Sequence, residues 1–322
     1  MGGRLRIFRT LLIPVLLLLA AACESPLRDR IEVLVDSYQA INSEKVVYVD
    51  VSSGDDENTG TRDHPKKSIQ PAIDLLVGLG IEGEVHVAAG TYNISETLEL
   101  KEGIALFGGY SGDWSSRTPR QSIIQASSGT SPAIEVGEGL SRSTVVDGFT
   151  IKAGLANSTM AIYCYRSSPT ISNNKIHGGY AEIAVGIFNI SSSPLIRDND
   201  IDGGNDSDES IGIYSTDSSS PEVKNNSIDG GTSSWSYAVY SRSGGSVLEG
   251  NTLSANGTDR DCGFYEALSL AHPQQLVNND FFSCNRICVY PEGFYEWNQV
   301  TEMQERLIMF GAEASNNSAT AP

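Results

Sequence analysis

One phrase occurs three times between Ser168 and Gly231, and it decides the fold: SPTISNNKIHGG from Ser168, SPLIRDNDIDGG from Ser193 and SPEVKNNSIDGG from Ser220. It fades into GSVLEGNTLSANG from Gly245 and QQLVNNDF from Gln274. An asparagine recurs at Asn174, Asn199, Asn226, Asn251 and Asn279, with spacings of 25, 27, 25 and 28. An aliphatic residue stands three positions before each one (Ile171, Ile196, Val223, Leu248, Leu276). Another apolar residue stands two positions after it (Ile176, Ile201, Ile228, Leu253, Phe281). Val146 and Ile151 fit one period earlier, with Phe149 at the asparagine position. A unit of this length with three short apolar strands and polar bends is the mark of a solenoid, because one unit cannot bury its own apolar face. Coils in parallel register stack about 4.8 Å apart. The aliphatic columns then fill a dry interior. The asparagine column forms a ladder in which each buried amide is satisfied by its neighbours. Asparagine also tolerates the left-handed backbone of a tight bend. Pro169, Pro194 and Pro221 stiffen the preceding corner.

Outward from the array, the composition is rich in Gly, Ser, Asn and Asp, which suits many short strands joined by turns. The formal net charge of −18 disfavours nucleic acid and anionic lipid as direct partners, and would repel a polyuronate unless a metal bridged it. Residues 1–22 read as an export signal: Arg4, Arg6 and Arg9, then an apolar run from Leu11 to Leu19, then Ala20-Ala21-Ala22 before Cys23. No later apolar run is long enough to span a bilayer. Residues 23–45 form a linker in which Leu27, Ile31, Leu34, Val35, Tyr38 and Ile41 have helical spacing, packed on the body or serving as a spacer. Residues 46–310 form the solenoid domain. Val300, Met303, Leu307 and Phe310 predict a C-terminal capping helix, with a capping box at Thr301-x-x-Gln304. Residues 311–322 read as a disordered tail. Beyond Cys23 the cysteines are Cys164, Cys262, Cys284 and Cys288. Export would let them oxidise, and Cys262 with Cys284 or Cys288 is the favoured pairing, one coil apart.

Two stretches carry a resemblance to known families. The leader ending in Cys23 resembles a bacterial lipoprotein signal, although Leu19 stands one position too early for the usual lipobox. The resemblance implies lipidation of Cys23 and membrane contact only through that anchor. By resemblance to lipoprotein sorting, Glu24 after the Cys is compatible with the outer membrane. The segment SSGDDENTGTRDHPKKSIQPAIDLLVGLG resembles the opening of bacterial right-handed parallel β-helix proteins of the pectate-lyase-like fold, where a G-D-x-x-N-x-G-T loop precedes a helix with an I-Q-x-A-I-D phrase. GGYSGDWSSRTPRQSIIQ resembles the elaborated loop between two of their coils. The implied class is all-β, a right-handed parallel β-helix with helices capping both ends, from about Val46 to Phe310. The residues agree: Ser68 can cap a helix, Pro71 fits its first turn, and Ile69, Ile73 and Leu76 share one face.

Chemistry is harder to read. Asp198-Asn-Asp200-Ile-Asp202-Gly203 with Glu209 satisfies the EF-hand pattern letter for letter. Asn199 and Ile201 belong to the ladder and the core, so the segment is strand and bend, not a helix-flanked loop. A Ca2+ site of another geometry remains a candidate at Asp198, Asp200, Asp202 and Asp229, since carboxylates stacked about 5 Å apart repel unless a cation or proton intervenes. The N-T-D, D-D and G-H-G signatures of polygalacturonase-like enzymes are absent from the array. Lyase-like chemistry would need acids plus a basic residue, for which Asp202, Asp229, Arg197 and Lys224 are the candidates. The last candidate is an aromatic column, Tyr163, Phe188, Tyr214 and Tyr240, each following a core aliphatic and so predicted to face outward as a glycan platform. His64, His86 and His272 are isolated, and Trp114 reads as a loop anchor. Two functions are carried forward. One is a monomeric, envelope-anchored protein that binds a glycan or another extracellular partner along its sheets. The other is a polysaccharide lyase or glycoside hydrolase acting through its acidic face.

Overall fold

In the computed structural model, residues 27–267, 272–290, 293–296, 298–309 and 311–320 are described. The chain winds into a parallel solenoid walled by three sheets of ten, nine and nine strands, each sheet taking one strand from each successive coil. The first sheet holds the strands that precede each ladder asparagine, such as Thr170–Ser172, Leu195–Arg197 and Glu222–Lys224. The second holds those that follow it, such as Lys175–His177, Asp200–Asp202 and Ser227–Asp229. The third holds the long strands that close each coil, including Ser158–Tyr165, Ile183–Ile190, Asn205–Thr216, Thr232–Ser241 and Arg260–Glu266. Pairing is parallel throughout except at one end of the third sheet, where Arg286–Tyr290 meets Gly293–Glu296 antiparallel.

The columns are those the repeat predicts. Ile171, Ile196, Val223, Leu248 and Leu276 are in register, as are Ile176, Ile201, Ile228, Leu253 and Phe281, and all are buried. Between them runs the ladder. The Asn199 side-chain oxygen accepts the Asn174 backbone N–H at 2.9 Å and its side-chain NH2 at 3.1 Å. Asn226, Asn251 and Asn279 repeat this toward the C-terminus. Each NH2 also donates to a carbonyl one coil back, as Asn199 does to Ile171. Each of these ladder amides is therefore satisfied, as a dry interior requires. At the other end Phe149, lacking an amide, donates only its backbone N–H to Asn174.

The bend itself departs from the sequence expectation. The left-handed residue is the one before each rung: Asn173, Asp198, Asn225, Gly250 and Asn278, at φ of 57, 59, 55, 67 and 55. The rung is not left-handed, and its neighbour bears the turn. The Gly-Gly pairs have a division of labour too. A Cβ on Gly203 would sit 2.3 Å from the Gly230 carbonyl oxygen, and Gly231 has φ +93. The first glycine is needed for close approach of coils, and the second for both close approach and its backbone angle. A second polar column stands at the corner after the third sheet. Ser192 accepts the Ser167 N–H and Ser219 accepts that of Ser192, at 3.1 and 3.0 Å.

Helix α1 (Leu27–Glu44) packs on the body, with Val35 and Ile41 buried. Helix α2 (Ile69–Leu79) covers the N-terminal end with Ile69, Ala72, Ile73 and Leu76 buried. Ser68 occupies the cap position without a capping bond. The Asp56 carboxylate accepts the Lys67 and Ser68 N–H groups instead. Helix α3 (Val300–Met309) buries Met303 and Leu307, but it does not end the solenoid. Glu313–Ser315 and Ser318–Ala319 add strands to the first and second sheets. Asn317 is a further rung, bonded to Asn279 at 2.9 and 3.1 Å. Residues 311–320 thus carry ladder strands, against the expectation of a disordered tail over 311–322, whose last two residues lie outside those described. The capping box is overturned too: the Gln304 side chain accepts the Asn317 N–H and NH2 at 2.9 and 3.0 Å and closes the ladder.

The favoured disulfide is not formed either. Cys262 and Cys284 are free and buried, with burial raising both thiols; the Cys288 side chain lies outside the described residues. Cys262 lies in an apolar layer with Val185, Ile211 and Tyr237, whereas the Cys284 thiol donates to the Leu253 and Phe282 carbonyls. Cys23 and the leader also lie outside the described residues.

Candidate functional site

The acidic corner is occupied by local structure. Asp202 and Asp229 are in register, but each carboxylate accepts the N–H of the second glycine of its own turn, Gly204 and Gly231, both at 2.8 Å. His177 does the same for Gly179 through Nδ1 at 3.0 Å, and its Nε2 lies 3.5 Å from Asp202. Asp200 faces Lys175 at 3.6 Å, and Asp198 is held by Arg197 at 2.8 Å. Lys224 lies between Glu222 and Glu249 at 3.7 and 3.4 Å. Arg197 and Lys224 do stack in one column, but on the first sheet with their own acids. The four candidate calcium ligands therefore have separate partners. Among the described residues no group of three or more His, Cys, Asp or Glu converges on a metal position.

The aromatic column is built as the pattern predicts. Ile162, Ile187, Ile213 and Val239 are buried in the interior. Alternation turns the next residue of each strand outward, so Tyr163, Phe188, Tyr214 and Tyr240 stand in register on the outer face of the third sheet. Adjacent ring centroids are 5.8, 4.7 and 4.8 Å apart, and Phe188 and Tyr214 lie nearly parallel at 12°. Tyr265 extends the column at 4.7 Å from Tyr240. The sequence signal for it was present, but its inward neighbour is Phe264 rather than an aliphatic. Beside the column lies the second outward row, Val185, Ile211, Tyr237 and Cys262, buried beneath the rings. Partial burial pushes the Tyr240 phenol up to about 12.

Next to these rows the outer face sinks into a groove of about 490 Å³ lined by Glu182, Ile183, Asp208, Glu209, Ser234 and Trp235. Ile183, Glu209, Trp235 and Arg260 are in register across four coils. The Arg260 guanidinium lies 5.4 Å from the centre of the Trp235 ring and 5.8 Å from that of Tyr265. Burial raises the Glu209 carboxyl above the usual range, and Arg260 opposes this. Sequence reading missed this groove, since its residues lie at the start of the third-sheet strands, beside the corner where coil lengths differ.

The first sheet carries an aromatic cluster near its N-terminal end. Trp114 packs 4.9 Å from Tyr48, and His86 stacks on Tyr110 at 4.3 Å. His86 also contacts Glu84 at 2.6 Å. Trp114 anchors its loop, and the contacts of the cluster are internal.

The sequence matches the model of the right-handed β-helix region over residues 121–282, just over half of the chain. The chain belongs to the right-handed β-helix family. The solenoid described above is accordingly right-handed, as its opening segment leads one to expect. No curated protein matches the chain. Among solved structures, ORF18 of Geobacillus virus E2 is similar at 10% identity and a TM-score of 0.40, covering 82% of this chain and 57% of its own. The mannuronan C-5 epimerase AlgE4 A-module of Azotobacter vinelandii is similar at 16% identity and a TM-score of 0.26, covering 74% of this chain and 89% of its own. The catalytic domain of a GH87 α-1,3-glucanase in complex with nigerose is similar at 13% identity and a TM-score of 0.26, covering 70% of this chain and 54% of its own. The chain thus spans 57% of the first of these. The family assignment stands on the sequence match alone.

Proposed function

We propose that this β-helix is an exported, envelope-anchored protein that binds an extended glycan along the outer face of its third sheet. The anchor is the lipidated Cys23, with contact to the membrane through that group only. The supporting observation is the in-register column of Tyr163, Phe188, Tyr214, Tyr240 and Tyr265 on an outer sheet face, continuous with a groove. A solenoid interior needs no such column, since the core is already filled from within by Ile162, Ile187, Ile213 and Val239. Rings and hydroxyls repeated at coil spacing offer apolar faces and edge-on hydrogen bonds to successive sugars. The acidic surface favours a neutral or cationic polymer over a polyuronate.

The lyase or hydrolase reading has less behind it. Asp202 and Asp229 are engaged in closing turns, and Arg197 and Lys224 pair elsewhere. A panel of neutral, cationic and acidic polysaccharides tests both. Binding is expected without release of reducing ends or unsaturated products, and it is expected to fall at least about tenfold in Tyr214→Ala/Tyr240→Ala. Product release abolished by Asp202→Ala would instead establish the enzyme. If melting rises with Ca2+ and Asp200→Asn/Asp202→Asn retains that rise, calcium does not sit at these carboxylates.

A further inference from the structure

The groove at the corner of the second and third sheets has features the aromatic column lacks. Its floor and walls carry Glu182, Asp208 and Glu209, and none of these carboxylates has a hydrogen-bond or ion-pair partner among the described residues. Elsewhere on this acidic surface, the corner carboxylates of Asp198, Asp200, Asp202 and Asp229 are each paired or bonded to a turn. Glu209 is half-buried, where an unpaired charge is costly.

Beside the exposed Glu182 and Asp208, part of the groove's solvent-facing rim is apolar. Ile183 and Trp235 line it and are 41% and 46% exposed. Tyr180, on the coil of Ile183, and Leu155, one coil earlier and joined to it by an isolated bridge, are 48% and 58% exposed. Among the described residues, four exposed large apolar side chains thus follow one corner of the solenoid. Such a patch, rimmed by polar groups, marks a place of contact. Trp235 is also oriented: Arg260 lies against the indole and leaves it nearly half exposed. Arg260 is thus a positioning residue for the ring; its charge also acts on Glu209, with no ion pair between the two.

An indole beside several unpartnered carboxylates matches a particular ligand chemistry. The C–H face of a pyranose packs on an aromatic ring, and a protonated amine on the same sugar would supply the charge-assisted hydrogen bonds the carboxylates lack. We infer that this groove is a subsite for a saccharide bearing a free, protonated amine, with the sugar face on Trp235 and the amine at Glu209, flanked by Asp208 and Glu182. The inference rests on the glycan-binding reading and adds to it a cationic sugar and a location. A neutral sugar would gain only the ring contact and hydroxyl bonds, and an N-acetylated one would lose the charge.

The test uses the full chain and two probes of equal length, glucosamine oligosaccharide (chitosan hexamer) and its fully N-acetylated counterpart, titrated calorimetrically at neutral pH and low salt. The free-amine oligomer is expected to bind at least about tenfold more tightly, and to weaken steeply as salt is raised. Glu209→Gln is expected to remove most of this preference without lowering the melting temperature, since it removes a half-buried charge. Trp235→Ala should weaken both oligomers. Equal affinity of the two oligomers, or a preference that survives Glu209→Gln, overturns the proposal. If a neutral glycan binds and depends on Tyr214 and Tyr240 but not on Trp235, the subsite fails while the glycan reading stands. If no saccharide in the wider panel binds, both fail.

Discussion

Asn226 and Asn225 are adjacent, chemically identical and structurally opposite. The Asn226 side-chain oxygen accepts two bonds from Asn199, and its NH2 donates to Asn251 and Ile196. Removing it strands donors of a neighbouring rung in a buried column, at about 1–3 kcal/mol for each unsatisfied group. Asn226→Ala is expected to cost about 2–5 kcal/mol in urea unfolding. Asn225 instead holds a left-handed backbone at φ 55, so Asn225→Gly should stay within about 1 kcal/mol of the parent. Equal losses at both positions would refute this division between rung and bend. Asp147 gives a pH-dependent case. Its burial alone would raise the carboxyl, but the Ser172 hydroxyl, the Arg117 guanidinium and the Asn173 amide outweigh burial and hold it below the usual range. A depressed folded value means the stabilisation is present above the ordinary carboxylate range and is lost as pH falls through the folded value. Asp147→Asn should therefore destabilise by about 2 kcal/mol at neutral pH. The gap to the parent should close below roughly pH 4, as followed by unfolding at a series of pH values.

At the scale of elements, what could be read in the sequence follows from what repeats. The columns of Ile171 to Leu276 and Asn174 to Asn279 were legible because every coil must meet the same buried neighbours above and below. The last coil was not, although Ala314 and Ala319 stand three before and two after Asn317 as the pattern requires. The intervening helix α3 stretches the spacing, and small side chains in a polar tail read as disorder. Gln304 was misassigned for a related reason: its spacing from Thr301 suits a local cap, while the bond it makes is to a rung thirteen residues on. The acid column was legible as a column, but not its purpose, because the bond from Asp202 to the Gly204 N–H depends on a backbone turn. Two variants probe these elements. Gln304→Ala should leave Asn317 without its acceptor and raise hydrogen exchange selectively across Glu313–Ala319, with the central coils unchanged; protection that is unaltered there would remove Gln304 from the ladder. In Gly231→Ala the new Cβ would meet the Gly204 carbonyl oxygen at 2.0 Å on a backbone of φ +93, so loss of soluble folded protein is the expected outcome.

For the whole molecule, the three walls differ in what they show to solvent. The first carries paired charges and an aromatic cluster that contacts itself, the second carries turns closed by their own acids, and the third carries unrepeated exposed apolar groups beside carboxylates that have no hydrogen-bond or ion-pair partner among the described residues. Only the outward direction of Tyr163, Phe188, Tyr214 and Tyr240 was visible from sequence, by alternation with buried aliphatics. The groove depends on bringing Ile183, Glu209 and Trp235 into register across corners of unequal length, which no fixed period encodes. Hydroxyl-radical footprinting of the full chain, with and without a saturating oligosaccharide taken from the binding panel, tests the placement of the ligand on the third sheet most directly. Protection of Trp235, Tyr214 and Tyr240, with Tyr48, Tyr110 and Trp114 on the first sheet unchanged, is the predicted result; a bound saccharide that leaves the third sheet unprotected would contradict it.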